Sequence, residues 1–221
     1  MTAGDLPKQG FQSLKAGSKN PKEVEAYYND WAETYNDTLK DWNYRAADDA
    51  AEALAGCVKP GGAILDVGCG TGLLAAALRD RFDCGVEGLD ISAASLEIAT
   101  RHGNYARLQR HDLQVTPLPL ANDAFDAAAC VGVMTYIEDA EALLTDLCRI
   151  VRAGGHILFT HREDRWAEEA FDALLGDMEK RRFWSPVMIS EPKPYLPCNE
   201  DFSDDIGVIH ALFRVKPGQD V

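Results

Sequence analysis

From Ala63 onward, short apolar runs alternate with longer stretches in which apolar residues recur every three or four positions. The runs AILDV (63–67), GVEGLD (85–90), YARLQRHD (105–112), FDAAACVGV (125–133) and GHILFT (155–160) predict strands. The stretches 71–81, 92–102 and 138–152 between them predict helices, the last closed by Gly154 and Gly155. Strand and helix alternating in this way form βαβ units. The expected fold is therefore α/β: a Rossmann-like, doubly wound, mostly parallel sheet in a three-layer α/β/α sandwich.

The pattern changes at both ends. EDRWAEEAFDALLGDMEKR (163–181) predicts one amphipathic helix, and FWSPVMIS and IGVIHALFRV (206–215) predict two strands with only a loop between them. Strands joined without a helix pair antiparallel, so the sheet should end in a hairpin. Ahead of the first strand, residues 21–58 combine helical spacing with Tyr27, Tyr28, Trp31, Tyr35, Trp42 and Tyr44, then an alanine-rich helix from about Arg45 to Cys57. Residues 1–20 carry few apolar side chains and are expected to form a mobile tail. At 221 residues the chain is long enough for one α/β domain, here 21–221, with the 21–58 segment as an N-terminal helical lid.

Charge narrows the partners. With 22 Lys and Arg against 36 Asp and Glu, the net charge is −14, which disfavours nucleic acid because that affinity comes from cations displacing counterions. A small-molecule substrate is expected instead. The six cysteines are scattered with no CxxC pair and read as reduced residues of a cytoplasmic protein. No apolar h-region opens the chain and no apolar run reaches the ~18 residues of a membrane span, so no membrane association is expected. Nothing in the pattern speaks to oligomeric state.

The candidate chemistry begins at ILDVGCGTGLLAAAL (64–78), an apolar run ending at a glycine triplet and a helix start. Such a turn lets a ligand lie against bare backbone. The glycines fall at Gly68, Gly70 and Gly72, as GxGxG. A dinucleotide fingerprint would need glycine where Leu73 stands, and no GK[ST] follows for a P-loop. Asp90 ends the second strand about twenty residues on, where a carboxylate can accept from both ribose hydroxyls. Asp112 and Leu113 end the third strand, where a short acceptor can meet an adenine amino group, although Asp112 also suits a strand-ending turn. Together the three strand ends describe a nucleoside without a pyrophosphate.

ILDVGCGTG, GLDIS, RHDL and FDAAACVGVM, in this order, resemble the motifs of class I S-adenosylmethionine-dependent methyltransferases over about residues 28–215. The resemblance implies a seven-stranded sheet with its last strand antiparallel, and S-adenosylmethionine as cofactor with S-adenosylhomocysteine as product. It implies that the methionine part lies over Gly68 and Gly70, that Asp90 holds the ribose and that Ile91 packs on adenine. Asp112 with Leu113 would meet the adenine edge, Asp66 would orient the glycine loop, and backbone at Val131 and Gly132 would help hold the methionine. YNDWAETYN and YRAADDAAEAL are similar to the methyltransferase-like subfamily of the Williams-Beuren syndrome region. By that analogy Tyr28, Trp31 and Tyr35 form an aromatic lid and Arg45 reaches the methionine carboxylate. The same aromatics would equally serve to pack a helix on the sheet.

Methyl transfer is an in-line displacement that positioning alone can accelerate, so an acid or base is optional. The candidates are Tyr136 after the fourth strand and His161 after the fifth. His111 and His156 fall within strands and His102 at a helix end, which suits structural roles. No HxxxH, HExxH or carboxylate cluster is present, so no metal is expected. A non-catalytic adenosylmethionine-binding regulatory protein and a protein methyltransferase remain as alternatives to a small-molecule enzyme.

Overall fold

The computed structural model describes residues 7, 9–10, 13–202 and 206–217. Two helices precede the sheet, α1 (Pro21–Asp41) and α2 (Ala46–Ala55). The Asn20 side chain caps α1 by accepting from the Lys22 amide at 3.1 Å, and Pro21 takes a first-turn position where no N–H is required. The alternating region follows as β1 (Gly62–Val67), α3 (Leu73–Arg79), β2 (Cys84–Asp90), α4 (Ala93–His102), β3 (Arg107–Arg110) and β4 (Phe125–Cys130). A 3-10 turn (Met134–Tyr136), α5 (Ala140–Ile150) and β5 (Val151–Arg162) complete it. The chain then forms α6 (Glu163–Glu168), α7 (Phe171–Lys180), β6 (Trp184–Ile189), β7 (Lys193–Pro194) and β8 (Gly207–Val215). None of the described helices is long and apolar enough to cross a membrane.

The sheet runs in the order β3-β2-β1-β4-β5-β8-β6. β1 to β5 are parallel, and β8 lies antiparallel between β5 and β6. This is the expected seven-strand path with its last strand reversed. The two-residue β7 adds an eighth, small strand beside β8. β1 and β4 are neighbours although β2 and β3 intervene in sequence, so the strand order reverses between them. A crevice at the carboxyl ends of two such strands is where open α/β sheets bind ligands.

Burial on both faces makes the central strands continuous apolar runs. Ile64, Leu65 and Ala127 to Cys130 have no exposed surface. One face carries Leu143, Leu147, Trp166 and Phe171, and the other carries Leu54, Leu74 and Leu78. Each fully buried side chain of this size contributes roughly 1.5–3 kcal/mol. A third, aromatic cluster joins Tyr27, Trp31, Leu39, Tyr136, Leu196, Phe202 and Ile206, which come from three distant stretches of the chain.

Tertiary packing revises four boundaries. The expected helix over 163–181 is two helices, broken at Ala170 with φ 50°; the break lets Phe171 pack 4.5 Å from the His161 ring and sends the Glu169 carboxylate to that same imidazole. The helix expected over 138–152 stops at Ile150, and Gly154 and Gly155 lie instead within β5, where the pairing with β4 shifts register. β5 also continues past Thr160 to Arg162. Finally, the expectation of a mobile tail over 1–20 falls partly outside the described residues, but 13–20 are docked. Arg162 donates to the Leu14 and Lys15 carbonyls at 3.2 and 2.8 Å, Gln114 donates to the Lys19 carbonyl at 3.0 Å, and Lys19 pairs with Glu169 at 3.1 Å.

Candidate functional site at the carboxyl edge of β1 and β4

The loop after β1 forms a floor of backbone. Gly68, Gly70 and Gly72 all have positive φ (75°, 53° and 98°), a conformation that side chains disfavour. A side chain at Gly68 would collide with the Val133 methyls, whereas Gly70 has nothing within 4 Å and opens onto empty space. Gly72 is backed by the Tyr105 ring and starts α3, so its role is to turn the chain. Above the first two glycines lies a partly open cavity with about 90 Å³ of enclosed free space. Gly68, Gly70, Asp90, Ile91, Asp112, Leu113, Val131 and Gly132 all line it.

Two buried acids set the electrostatics. Asp90 accepts from the Gly70 amide at 2.7 Å and the Ser92 amide at 2.8 Å, which fixes the loop after β1 against the loop after β2. Burial raises its pKa, and those amide bonds pull it back. Asp66 is more confined: burial pushes its carboxyl up to about 7, offset by a 2.7 Å hydrogen bond from the Tyr105 hydroxyl and reinforced by the Asp90 charge. A cation placed over this floor would favour the ionised form of both groups. Asp112 accepts from the Gln114 amide at 3.0 Å, so it makes the strand-ending turn and lines the cavity at once.

The roof is α1. Tyr28 and Tyr35, seven residues apart and so on one face of the helix, line the cavity, with Pro21 and Val24 beside them. Two asparagines at the same spacing hold this face down. The Ser92 hydroxyl donates to Asn29 Oδ1 at 2.8 Å, and the Thr71 hydroxyl donates to Asn36 Oδ1 at 2.5 Å. Each asparagine thus anchors α1 to one of the two loops that build the floor. Tyr28 donates to the Tyr136 hydroxyl at 2.8 Å across the cavity wall.

Three expected site residues stand elsewhere. Trp31 is 1% exposed and packs among Tyr27, Tyr35 and Trp42, so it supports the roof without facing the cavity. Arg45 is 63% exposed, lies 3.9 Å from Asp48 and lines neither cavity; its neighbour Tyr44 lines the smaller one, over Asp66, Gly68 and Gly70. His161 is buried among Trp166 and Phe171, with Nε2 3.2 Å from Glu169, and desolvation lowers its pKa. The reason is the two-residue period of a strand. Because β5 runs to Arg162, His161 shares the face of Ile157 and Phe159, and the opposite face presents Thr160, which accepts from the Gly132 amide at 2.8 Å.

Sequence reasoning missed Ser95, Gln114, Val133 and Ile137 in the cavity wall, and Asn29 and Asn36 above it. Gln114 was the most accessible of these, one residue beyond Leu113. It donates to the Tyr136 carbonyl at 2.9 Å and accepts from the Glu138 amide at 2.9 Å, so it ties the β3 end to the 3-10 turn. The paired asparagines carried a signal in their seven-residue spacing.

Floor, acids and switch-point position together define a nucleoside-binding α/β protein whose ligand needs no pyrophosphate cradle. The family model for the methyltransferase domain matches residues 65–159. Methyltransferase-like protein 27 of Homo sapiens is 33% identical over 169 residues, 73% of this chain and 68% of that protein. A ubiquinone biosynthesis O-methyltransferase of Alkalilimnicola ehrlichii is 34% identical over 125 residues, and the chain spans about half (49%) of that relative's length. In fold, the chain is similar to a TehB-like SAM-dependent methyltransferase from Corynebacterium glutamicum, with TM-score 0.65 and 22% identity, covering 86% of this chain and 99% of that one. The chain belongs to the class I S-adenosylmethionine-dependent methyltransferases. S-adenosylmethionine is its cofactor, and the open backbone at Gly70 beside two buried carboxylates fits that cation.

Proposed function

We propose that the enzyme methylates a small acceptor that is not a polyanion, held between the glycine floor and the tyrosine roof. The observation that carries this reading is the cavity wall: among its described lining residues are two acids, three tyrosines and no Lys, Arg or His. In this reading Gly68 and Gly70 hold the methionine part, Asp90 accepts from the ribose hydroxyls, and Ile91, Asp112 and Leu113 border the adenine. Tyr35 and Tyr44 stand over the methionine end, where Arg45 does not reach.

Bound there, the cofactor supplies a methyl group activated by a cationic sulfur. The protein's share is positioning and exclusion of water. α1 closes the cavity through Asn29 and Asn36, and residues 13–20 close it further, since Gly17 lies against Thr135 and the Tyr136 ring. Holding donor and acceptor in line is worth up to several kcal/mol without any acid or base.

The first test is parallel calorimetric titration with S-adenosylhomocysteine, S-adenosylmethionine and NAD. Binding of the first two alone is expected. Selective binding of NAD would reject the proposed pose over Gly68 and Gly70. A methyl-transfer assay comparing small acceptors with a basic protein substrate then separates the small-molecule reading from protein methylation.

A further inference from the structure

Four tyrosines line two adjoining cavities at the roof end, and a fifth, Tyr195, packs behind them. Tyr28, Tyr35 and Tyr136 line the large cavity, and Tyr35 and Tyr44 line its smaller neighbour. Tyr28 meets Tyr35 and Tyr136 edge to face, with ring centroids 6.0 and 5.8 Å apart, and Tyr195 meets Tyr44 in the same way at 5.9 Å. The Tyr28 hydroxyl is used by Tyr136, whereas those of Tyr35, Tyr44 and Tyr195 make no hydrogen bond to another described residue. Burial raises the pKa of all five. They are therefore neutral phenols, able to donate or accept a hydrogen bond and ill suited to taking a proton.

These walls discriminate among acceptors. A carboxylate or phosphate would enter beside Asp90 and Asp112; no described cation lines the cavity, and Arg162, whose charge reaches Tyr136 and Tyr195, is already engaged by Asp164 and the Leu14 and Lys15 carbonyls. A hydroxyl acceptor needs a base to become a strong nucleophile, and its neighbours would be phenols. An uncharged amine already carries its lone pair. Its N–H groups can donate to the tyrosine oxygens, and the ring faces favour the positive charge that grows on nitrogen during transfer.

We propose that this roof end is the acceptor subsite and that it takes a small uncharged amine. The proposal rests on the methyltransferase reading above and narrows its acceptor. The amine lone pair forms the new N–C bond as the C–S bond breaks, and the departing pair stays on sulfur, which becomes the neutral thioether of S-adenosylhomocysteine. The nitrogen becomes a methylated ammonium, which leaves and loses its proton to water.

The test is calorimetric titration of the protein saturated with S-adenosylhomocysteine, using benzylamine, phenol and benzoate as probes that share one ring. Benzylamine should bind at least about tenfold more tightly than the other two, a difference of ~1.4 kcal/mol. Its apparent dissociation constant should fall by up to about tenfold per pH unit between about pH 7 and pH 9, as the uncharged fraction of an amine grows. Tyr136→Phe, which keeps the ring in the cavity wall, should weaken benzylamine by about fivefold and leave S-adenosylhomocysteine within about twofold, whereas Tyr195→Phe, behind the wall, should change neither by more than about twofold. Phenol or benzoate matching benzylamine, a pH-independent affinity, or no probe binding at all would overturn the proposal. So would an equal loss of S-adenosylhomocysteine in Tyr136→Phe, which would assign that hydroxyl to the cofactor. Failure of the unmodified protein to bind S-adenosylhomocysteine before any probe is added would instead reject the underlying cofactor pose.

Discussion

The floor and the roof of the cavity hold their shapes by different means. The floor is backbone: Gly68 and Gly70 in left-handed conformations, held by amide hydrogen bonds to the Leu89 carbonyl and the Asp90 carboxylate. The roof is side chain: α1, Tyr136 and the 195–206 stretch joined through aromatic packing, and tied to the floor by two asparagines. A floor of this kind is rigid because its geometry is fixed within two short loops. A roof assembled across the chain can loosen as a unit, which suits a part that must admit a ligand.

The largest effect should come from removing the roof's anchor. Trp31→Ala empties a buried site and is expected to cost about 3–5 kcal/mol in denaturant unfolding. A cost below about 1 kcal/mol would show that Trp31 is a dispensable cover. The floor should respond in binding. Asp90→Ala is expected to weaken S-adenosylhomocysteine by roughly 1–3 kcal/mol in calorimetry, because Gly70 loses its acceptor and, in the proposed pose, so does the ribose. Unchanged affinity would break the distinction between a binding floor and a packing roof.

Asp66 offers a pH signature of the floor alone. Its folded pKa, about 7, lies above its unfolded value near 3.8, so the folded state binds the extra proton. This group therefore stabilises the fold most at low pH, and its contribution is lost as pH rises from about 4 to about 7, by at most ~1.4 kcal/mol per pH unit. Affinity for the cationic cofactor should move the other way, rising through pH 7 as the carboxylate forms. Asp66→Asn should flatten both profiles in calorimetry and unfolding; profiles that keep their slopes would place the titration elsewhere.

The link between the two regions should be weaker than either. Asn36→Ala removes one clasp and is expected to cost about 0.5–1.5 kcal/mol of cofactor affinity, with a faster dissociation rate by stopped flow. The smallest effect on turnover is expected from His161→Gln. Because the imidazole faces Phe171 and Glu169, methyl transfer should stay within about twofold, under ~0.5 kcal/mol of barrier, despite some loss of stability. A large fall in turnover at full cofactor occupancy would reinstate it as a base.

Legibility followed the same division. Periodicity located the sheet, the parallel run from β1 to β5 and the antiparallel end, because strand and helix spacing are local consequences of which side chains must be buried. Glycine spacing and the carboxylates at strand ends located the floor, because positive φ and a short acidic reach are also local demands. Position within a strand was less secure: one strand extending two residues beyond its expected end sent His161 to the opposite face and brought Thr160 to the loop.

What the amino-acid sequence determined by itself was the sheet and the glycine floor, where each requirement is met by residues a few positions apart. What only the tertiary structure decided was how the roof packs: that Trp31 is buried and Arg45 exposed, that residues 13–20 dock on Arg162 and Glu169, and that Tyr195 meets Tyr44. Those placements depend on contacts between segments far apart in the chain. Side-chain packing and charge pairing at that range are set by the assembled surfaces, and no local pattern encodes them.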